Sequence, residues 1–309
     1  MSEIILHHYP MSPFAEKIRA ILGTKQLAWQ SVIIPRVMPK PDVIALTGGY
    51  RKTPILQIGA DIYCDTALIA RKLNQLAPEP DLYPKNCAAS AESFAAWADS
   101  VLFNAAVALV FQPHVIAKTF AGQEQELQTF VADRTAMRKG ATLPRTGLDV
   151  AKAIINRFLR NFDGQLQSGS RFIFGDAPTI ADFSVYHPLW FIWTKPIVSE
   201  LLPPFSALTR WLETMKALGH GTSTELASKD AVIIANDSQT QLTQQQNCLE
   251  KFNLGDEIAV QPTDYGIDPV KGKLIYSDEY EIVVLRSDEH AGEVAVHFPP
   301  INYAVLKPE

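Results

Sequence analysis

The chain has 309 residues, 47% hydrophobic and 20% charged, the composition of a folded globular protein and not of a disordered one. With 28 Lys and Arg against 33 Asp and Glu, the net charge of -5 leaves no electrostatic footprint for a phosphate backbone, so nucleic acid is not expected as a partner. The start, MSEIILHHYP, lacks the basic region and cleavage site of a secretory leader, and apolar runs such as residues 105–111 fall far short of the roughly 20 that cross a bilayer. The expectation is a cytoplasmic protein with no membrane partner. Cys64, Cys87 and Cys248 are widely separated and form no C-x-x-C, so they support neither a disulfide framework nor a zinc site.

In chain order, residues 4–8 read as a strand, a helix follows from about Pro13, and residues 29–34 read as a second strand. After a loop, 55–58 and 61–64 read as two more strands, with a helix from Asp65. This α/β unit ends near Ala77, where the proline-rich stretch 78–84 disfavours helix and marks a linker. From Ser90 the apolar spacing becomes helical: Phe94, Trp97, Val101, Ala105 and Ala108, then Leu148, Ala151, Ile155, Phe158 and Phe162. Thr179 and Asp182 stand in capping-box relation at the start of a further helix. Another helix holds Leu208, Trp211, Leu212 and Met215. Residues 236–247, polar and Gln-rich, read as a linker. Beyond them the period falls to two, in short runs at 257–263, 270–276, 281–285, 293–298 and 303–306, as in a small antiparallel barrel. From Glu250 onward there are 5 Lys/Arg and 12 Asp/Glu, a balance of −7, so the acidity of the protein sits in this tail. Expected domains are therefore 1–78, 88–230 and 250–309.

Three clusters carry candidate chemistry. Ser12-Pro13 sits where a strand leads into a helix: as a bare N-cap it satisfies a backbone N–H, and as a functional group its hydroxyl donates to a thiolate and lowers the pKa of a bound thiol. Thr53-Pro54 places a proline at a strand start, where a cis bond would turn the preceding backbone outward to pair with an extended ligand. Asp65-Thr66 opens the next helix, either as a plain cap or as a head-group site. In the second case the N–H and hydroxyl take a carboxylate and Asp65 takes an ammonium.

The order of these signals, S-P-F-A-E-K, then T-P-I-L, then D-T, resembles the glutathione transferase superfamily over about residues 3–220. Residues Ser12 to Arg19 look like the active-site turn of the omega class, with Ser12 in place of its cysteine, as in serine-type tau and zeta enzymes. The resemblance implies a thioredoxin-like first domain, a helical second domain and glutathione as co-substrate. It also implies roles: Ser12 holds the glutathione thiolate, Thr53 before a cis Pro54 pairs with the cysteinyl backbone, and Asp65 with Thr66 holds the γ-glutamyl group. Lys40 matches a basic position that binds the glycine carboxylate. Two departures stand out: Asp65-Thr66 replaces the commoner Glu-Ser or Gln-Ser, and the tail beyond about residue 230 lies outside the two-domain pattern.

The expected function is activation of the glutathione thiol for attack on an apolar small-molecule electrophile, by conjugation, isomerisation or peroxide reduction. The protein is expected to be a homodimer unless the C-terminal domain blocks it. The alternatives are a non-catalytic interaction protein on the same fold and a carrier of apolar ligands. His7-His8 as metal ligands are disfavoured because strand neighbours point to opposite faces. Tyr9 is a packing residue or a substitute thiol-activating hydroxyl, Trp190, Phe191 and Trp193 pack core or line the electrophile pocket, and Cys64 is a buried inert thiol.

Overall fold

A computed structural model describes residues 3–308; Met1, Ser2 and Glu309, the outer ends of the first and third expected domains, lie outside the described residues. The first part alternates β1 (Ile4–His8), α1 (Pro13–Thr24), β2 (Ala28–Ile33), α2 (Pro41–Thr47), β3 (Ile55–Ile58), β4 (Asp61–Cys64) and α3 (Thr66–Leu76). Here β2 pairs parallel to β1, β3 antiparallel to β1, and β4 antiparallel to β3. That is the thioredoxin-like arrangement the resemblance implies.

The helical part comprises α4 (Ala88–Trp97), a π-turn over Ala98–Leu102, α5 (Phe103–Val110), α6 (Pro113–Thr119), α7 (Glu124–Met137), α8 (Leu148–Gln167), α9 (Ile180–Trp193) and α10 (Ser206–Ala217). From Ala88 to Val110 the chain is one 23-residue helix containing an 18-residue stretch of mean hydropathy 1.5, long and apolar enough to cross a membrane, contrary to the reading of short apolar runs. Its Ala91, Ala95, Leu102 and Ala105 lie in the protein core, and Asp99 on it is ion-paired. The capping box at α9 forms as expected: Asp182 accepts the N–H groups of Thr179 and Ile173, each at 2.9 Å.

β5 (Thr222–Glu225) and α11 (Ser228–Asn236) follow, then β6 (Glu257–Pro262), β7 (Val270–Ser277), β8 (Ile282–Asp288), β9 (Gly292–Phe298) and β10 (Tyr303–Leu306). The expected antiparallel strands are present, but their closure into the expected small barrel is not shown. All ten strands form one open sheet in the order β10-β6-β7-β8-β9-β4-β3-β1-β2-β5, and among the described residues no ladder joins β10 to β9. The physical reason lies in β9. Its residues Val294 to Phe298 are buried on both faces, as in an interior strand, and its second edge pairs parallel with β4.

Alternation along β1 divides the core: Leu6 packs with α1, α3 and the helical part, whereas Ile5 packs with α2, α11 and the C-terminal strands. The C-terminal strands therefore share the second of these cores with the first domain, and a small third cluster joins their own Tyr276, Val283 and Ala295.

Candidate thiol-peptide site

Strand register brings the three candidate segments to one end of the sheet. His7 lies opposite Ile55 and Ile55 opposite Cys64, so the chain leaves that end after His8, returns at Thr53-Pro54 and leaves again at Asp65-Thr66. Because β2 runs parallel to β1, with His8 opposite Ile33, the segment leading to Lys40 emerges there too.

Ser12 is the N-cap of α1, its Oγ accepting from the Ala15 N–H at 3.2 Å, and only 2% of the residue is exposed. Accepting that bond leaves the hydroxyl hydrogen available for donation at the positive end of a 12-residue helix. The turn before it is held by Arg19, which donates to the Pro10 carbonyl at 2.9 Å and to Glu16 at 2.7 Å. Burial pushes the Glu16 carboxyl up, but His220 and Arg19 outweigh it and hold the group below the usual carboxylate range.

The Thr53–Pro54 bond is cis, as the resemblance implies. Thr53 Oγ1 accepts from Lys40 Nζ at 3.1 Å. Lys40 is 4% exposed, and burial, then the positive charge of Arg134, pulls its ammonium down to about 8, with Asp133 opposing.

Asp65 caps α3 at φ 76°, with Oδ1 accepting from the Ala67 N–H at 2.9 Å. Thr66 Oγ1 accepts from Lys17 Nζ at 3.3 Å, and the same ammonium pairs with Asp99 at 2.7 Å. Asp99 also meets His187 Nε2 at 2.9 Å, so the head of α3 is tied through α1 to the helical part.

Further segments close over this end. From α7, Asp133 accepts from Arg51 at 2.8 Å and from the Met38 N–H at 3.0 Å, while Arg134 donates to the Arg36 carbonyl at 2.9 Å and reaches the Tyr9 hydroxyl at 3.5 Å. From the loop between β6 and β7, Asp264 pairs with Lys52 at 2.6 Å and the Tyr265 ring lies 4.4 Å from Lys52 Nζ, while from β10 the Tyr303 hydroxyl donates to Asp65 Oδ2 at 3.3 Å.

Every expected site residue thus belongs to one end of the sheet, and Ser12, Lys40, Thr53, Asp65 and Thr66 each have a hydrogen-bond partner within the protein. Lys17, Arg19, Asp99, Arg134 and Tyr303 were given no role from sequence. Lys17 and Arg19 lie inside the quoted turn motif, and Asp99 is a charge on an apolar helical stripe, which is a readable signal. Tyr303 left none, because its partner is 238 residues away.

The remaining candidates have structural partners. His7 bonds Gln57 at 2.8 Å and His8 bonds Ser31 at 2.9 Å, so the two rings do not share a ligand. Cys64 is fully buried, and burial pushes its thiol up. Phe191 lies in the core, with Trp190 and Trp193 packed against it.

The N-cap hydroxyl of Ser12, the buried ammonium of Lys40 and the half-buried carboxylate of Asp65 thus gather at one end of a thioredoxin-like sheet beside a helical domain. Family models agree: residues 6–81 match the glutathione S-transferase N-terminal domain and 125–214 its C-terminal domain. Over the full length of both chains, this protein is 41% identical to a GST-like protein from Pseudomonas syringae, with a TM-score of 0.83. The chain belongs to the glutathione S-transferase family.

Fold-level likeness extends to glutathione S-transferase III in its apo form, at 19% identity and TM-score 0.52 over 70% of this chain and 92% of that one. It extends also to the beta-etherase LigF from Sphingobium sp. strain SYK-6, at 15% identity and TM-score 0.51 over 70% and 96%. No curated protein matches the chain in sequence.

Proposed function

We propose that the protein binds glutathione and activates its thiol for attack on an apolar electrophile. The observation that carries this reading is the shared register of His7, Ile55 and Cys64, which sets Ser12, Thr53-Pro54 and Asp65-Thr66 around one end of the sheet. Lys40 takes the glycine carboxylate, the Thr53 backbone pairs with the cysteinyl residue, and Asp65 takes the γ-glutamyl ammonium. Ser12 donates to the sulfur and favours the thiolate, so the nucleophile belongs to the co-substrate and the protein contributes positioning and pKa depression. With serine at the turn, conjugation, isomerisation or peroxide reduction fits better than mixed-disulfide exchange. The electrophile enters from the helical side. A homodimer, in this reading, uses a surface away from the two edges of the β2-β1-β3-β4 unit, because β5 and β9 already pair with them.

The near-complete burial of Ser12 favours a second reading, a non-catalytic interaction protein on the same fold. Calorimetric titration of glutathione, followed by turnover of chlorodinitrobenzene with release of chloride, separates the two. One site per chain and turnover that falls in Ser12→Ala support the enzyme; absence of glutathione binding supports the interaction protein.

A further inference from the structure

β9 runs parallel to β4, with Tyr63 opposite His297, so the chain leaving β9 emerges at the same end of the sheet as Asp65. Six residues beyond His297, Tyr303 returns into β10 with its ring packed against Phe298 at 5.5 Å between centroids; Phe298 in turn packs against Tyr50 at 6.0 Å. The Tyr303 and Tyr50 hydroxyls are 3.0 Å apart, and Tyr303 donates to Asp65 Oδ2 at 3.3 Å. Since the Tyr303 hydrogen goes to the carboxylate, Tyr50 donates to Tyr303, giving a directed chain from Tyr50 through Tyr303 to Asp65. Tyr50 and Tyr303 are 2% and 9% exposed, and burial pushes both phenols well above their ordinary value, so both remain neutral donors.

Asp65 itself is half-buried and holds one protein donor on each oxygen, the Ala67 N–H on Oδ1 and Tyr303 on Oδ2. A carboxylate terminal torsion is broad and roughly two-fold, so a single donor would leave it free to swing; two donors fix its plane. Each oxygen keeps a lone pair for a ligand.

We propose that Tyr303, supplied by the C-terminal sheet, is a positioning residue of the ligand site, holding the Asp65 carboxylate in the orientation that receives the ammonium of a γ-glutamyl ligand. This rests on the glutathione reading of the site. It assigns the C-terminal strands a part in amine recognition as well as in the core.

The test is calorimetric titration of the full-length protein and its Tyr303→Phe variant with two probes: glutathione, and glutaryl-cysteinylglycine, which keeps both carboxylates and the thiol but lacks the amine. Tyr303→Phe retains the ring packing, and its thermal unfolding is recorded alongside. Loss of a hydrogen bond to a charged group predicts about tenfold weaker glutathione binding in the variant. Binding of the amine-free analogue should stay the same in both proteins. Tyr50→Phe, which leaves the Tyr303 hydroxyl in place but removes its donor, should give a smaller loss with the same selectivity. Equal weakening for both probes, or none for either, overturns the role of Tyr303 while leaving glutathione binding intact. Failure of the wild type to bind glutathione overturns the reading of the site, and this inference with it.

Discussion

Replacing His297 with Leu tests whether the C-terminal strands are held to the first domain by the buried cluster at the β4–β9 seam. His297 is 2% exposed, with Nε2 3.1 Å from Asp61 and Nδ1 2.8 Å from Glu281, and its ring stacks on Tyr63 at 4.3 Å. Asp61, also buried, keeps Thr240 and the Gln241 N–H as donors when the imidazole is removed. The loss is therefore one charge-assisted hydrogen bond, about 1.5–3 kcal/mol, and one ring stack, about 0.5–1.5 kcal/mol. The partly exposed Glu281 side adds about 0–1 kcal/mol. With some return from burying Leu, a loss of about 3 kcal/mol at pH 6 is expected.

The pH dependence of that loss has a definite sign. Burial pushes His297 down, but Asp61 and Glu281 outweigh it, so its folded pKa lies above 6.5. The stability it adds is full below 6.5 and fades as pH rises through the folded value. Burial likewise pushes Asp61 up, and its donors outweigh that, holding it below 3.8; its contribution is present above 3.8 and fades as the pH falls through the lower folded value. Urea denaturation of wild type and variant at pH 6 and pH 9 should show the gap narrowing at pH 9. A gap under about 0.5 kcal/mol at pH 6, the scale of an ordinary surface substitution, or one that widens with pH, refutes the reasoning.

Three further outcomes are expected. Ser12→Ala should keep glutathione affinity within about threefold while the thiolate absorbance of bound glutathione disappears, since the proposed role of its hydroxyl is at the sulfur and not at the head groups; unchanged absorbance removes Ser12 from the chemistry. Lys40, with its ammonium near 8, loses its charge as pH rises from 7 to 9, so wild type should lose affinity for S-methylglutathione faster over that range than Lys40→Met does; parallel curves argue against a carboxylate at Lys40. Asp182, pushed up to about 6 chiefly by burial, contributes stability that is full below 3.8 and fades as pH rises through 6. Relative to Asp182→Asn, wild type should thus lose up to about 3 kcal/mol between pH 4 and pH 7 by denaturant titration, and the opposite slope would contradict the assignment.

The parts of this protein legible in its sequence are those whose cause is local. Ser12-Pro13 and Asp65 announce helix starts because a cap acts within three residues, and the C-terminal strands show through their period of two. β5 was missed because its four residues, Thr222–Glu225, are all exposed and carry no apolar alternation; it forms because the β2 edge offers unpaired backbone groups. Whether the strands close into a barrel was not legible for a related reason. Periodicity identifies strands but is silent on which edge meets which, and β9 met β4 instead of β10.

That pairing bears on function. In the first domain, β3 and β4 deliver Thr53 and Asp65 to one end of the sheet, and a strand added parallel to β4 must deliver its own following residues to that same end. Tyr303 at Asp65 is thus a geometric consequence of the β4–β9 register, and the Asp264–Lys52 pair adds a second contact from the β6–β7 loop. By merging the two sheets, the fold gives the carboxylate a second donor from 238 residues further along the chain, so a perturbation of the seam at His297 should also weaken recognition of the amine. Measuring glutathione affinity in His297→Leu joins the two observations: weaker binding of glutathione with unchanged binding of glutaryl-cysteinylglycine would tie seam and site together, and unaltered binding of both would show that the site tolerates a loosened seam.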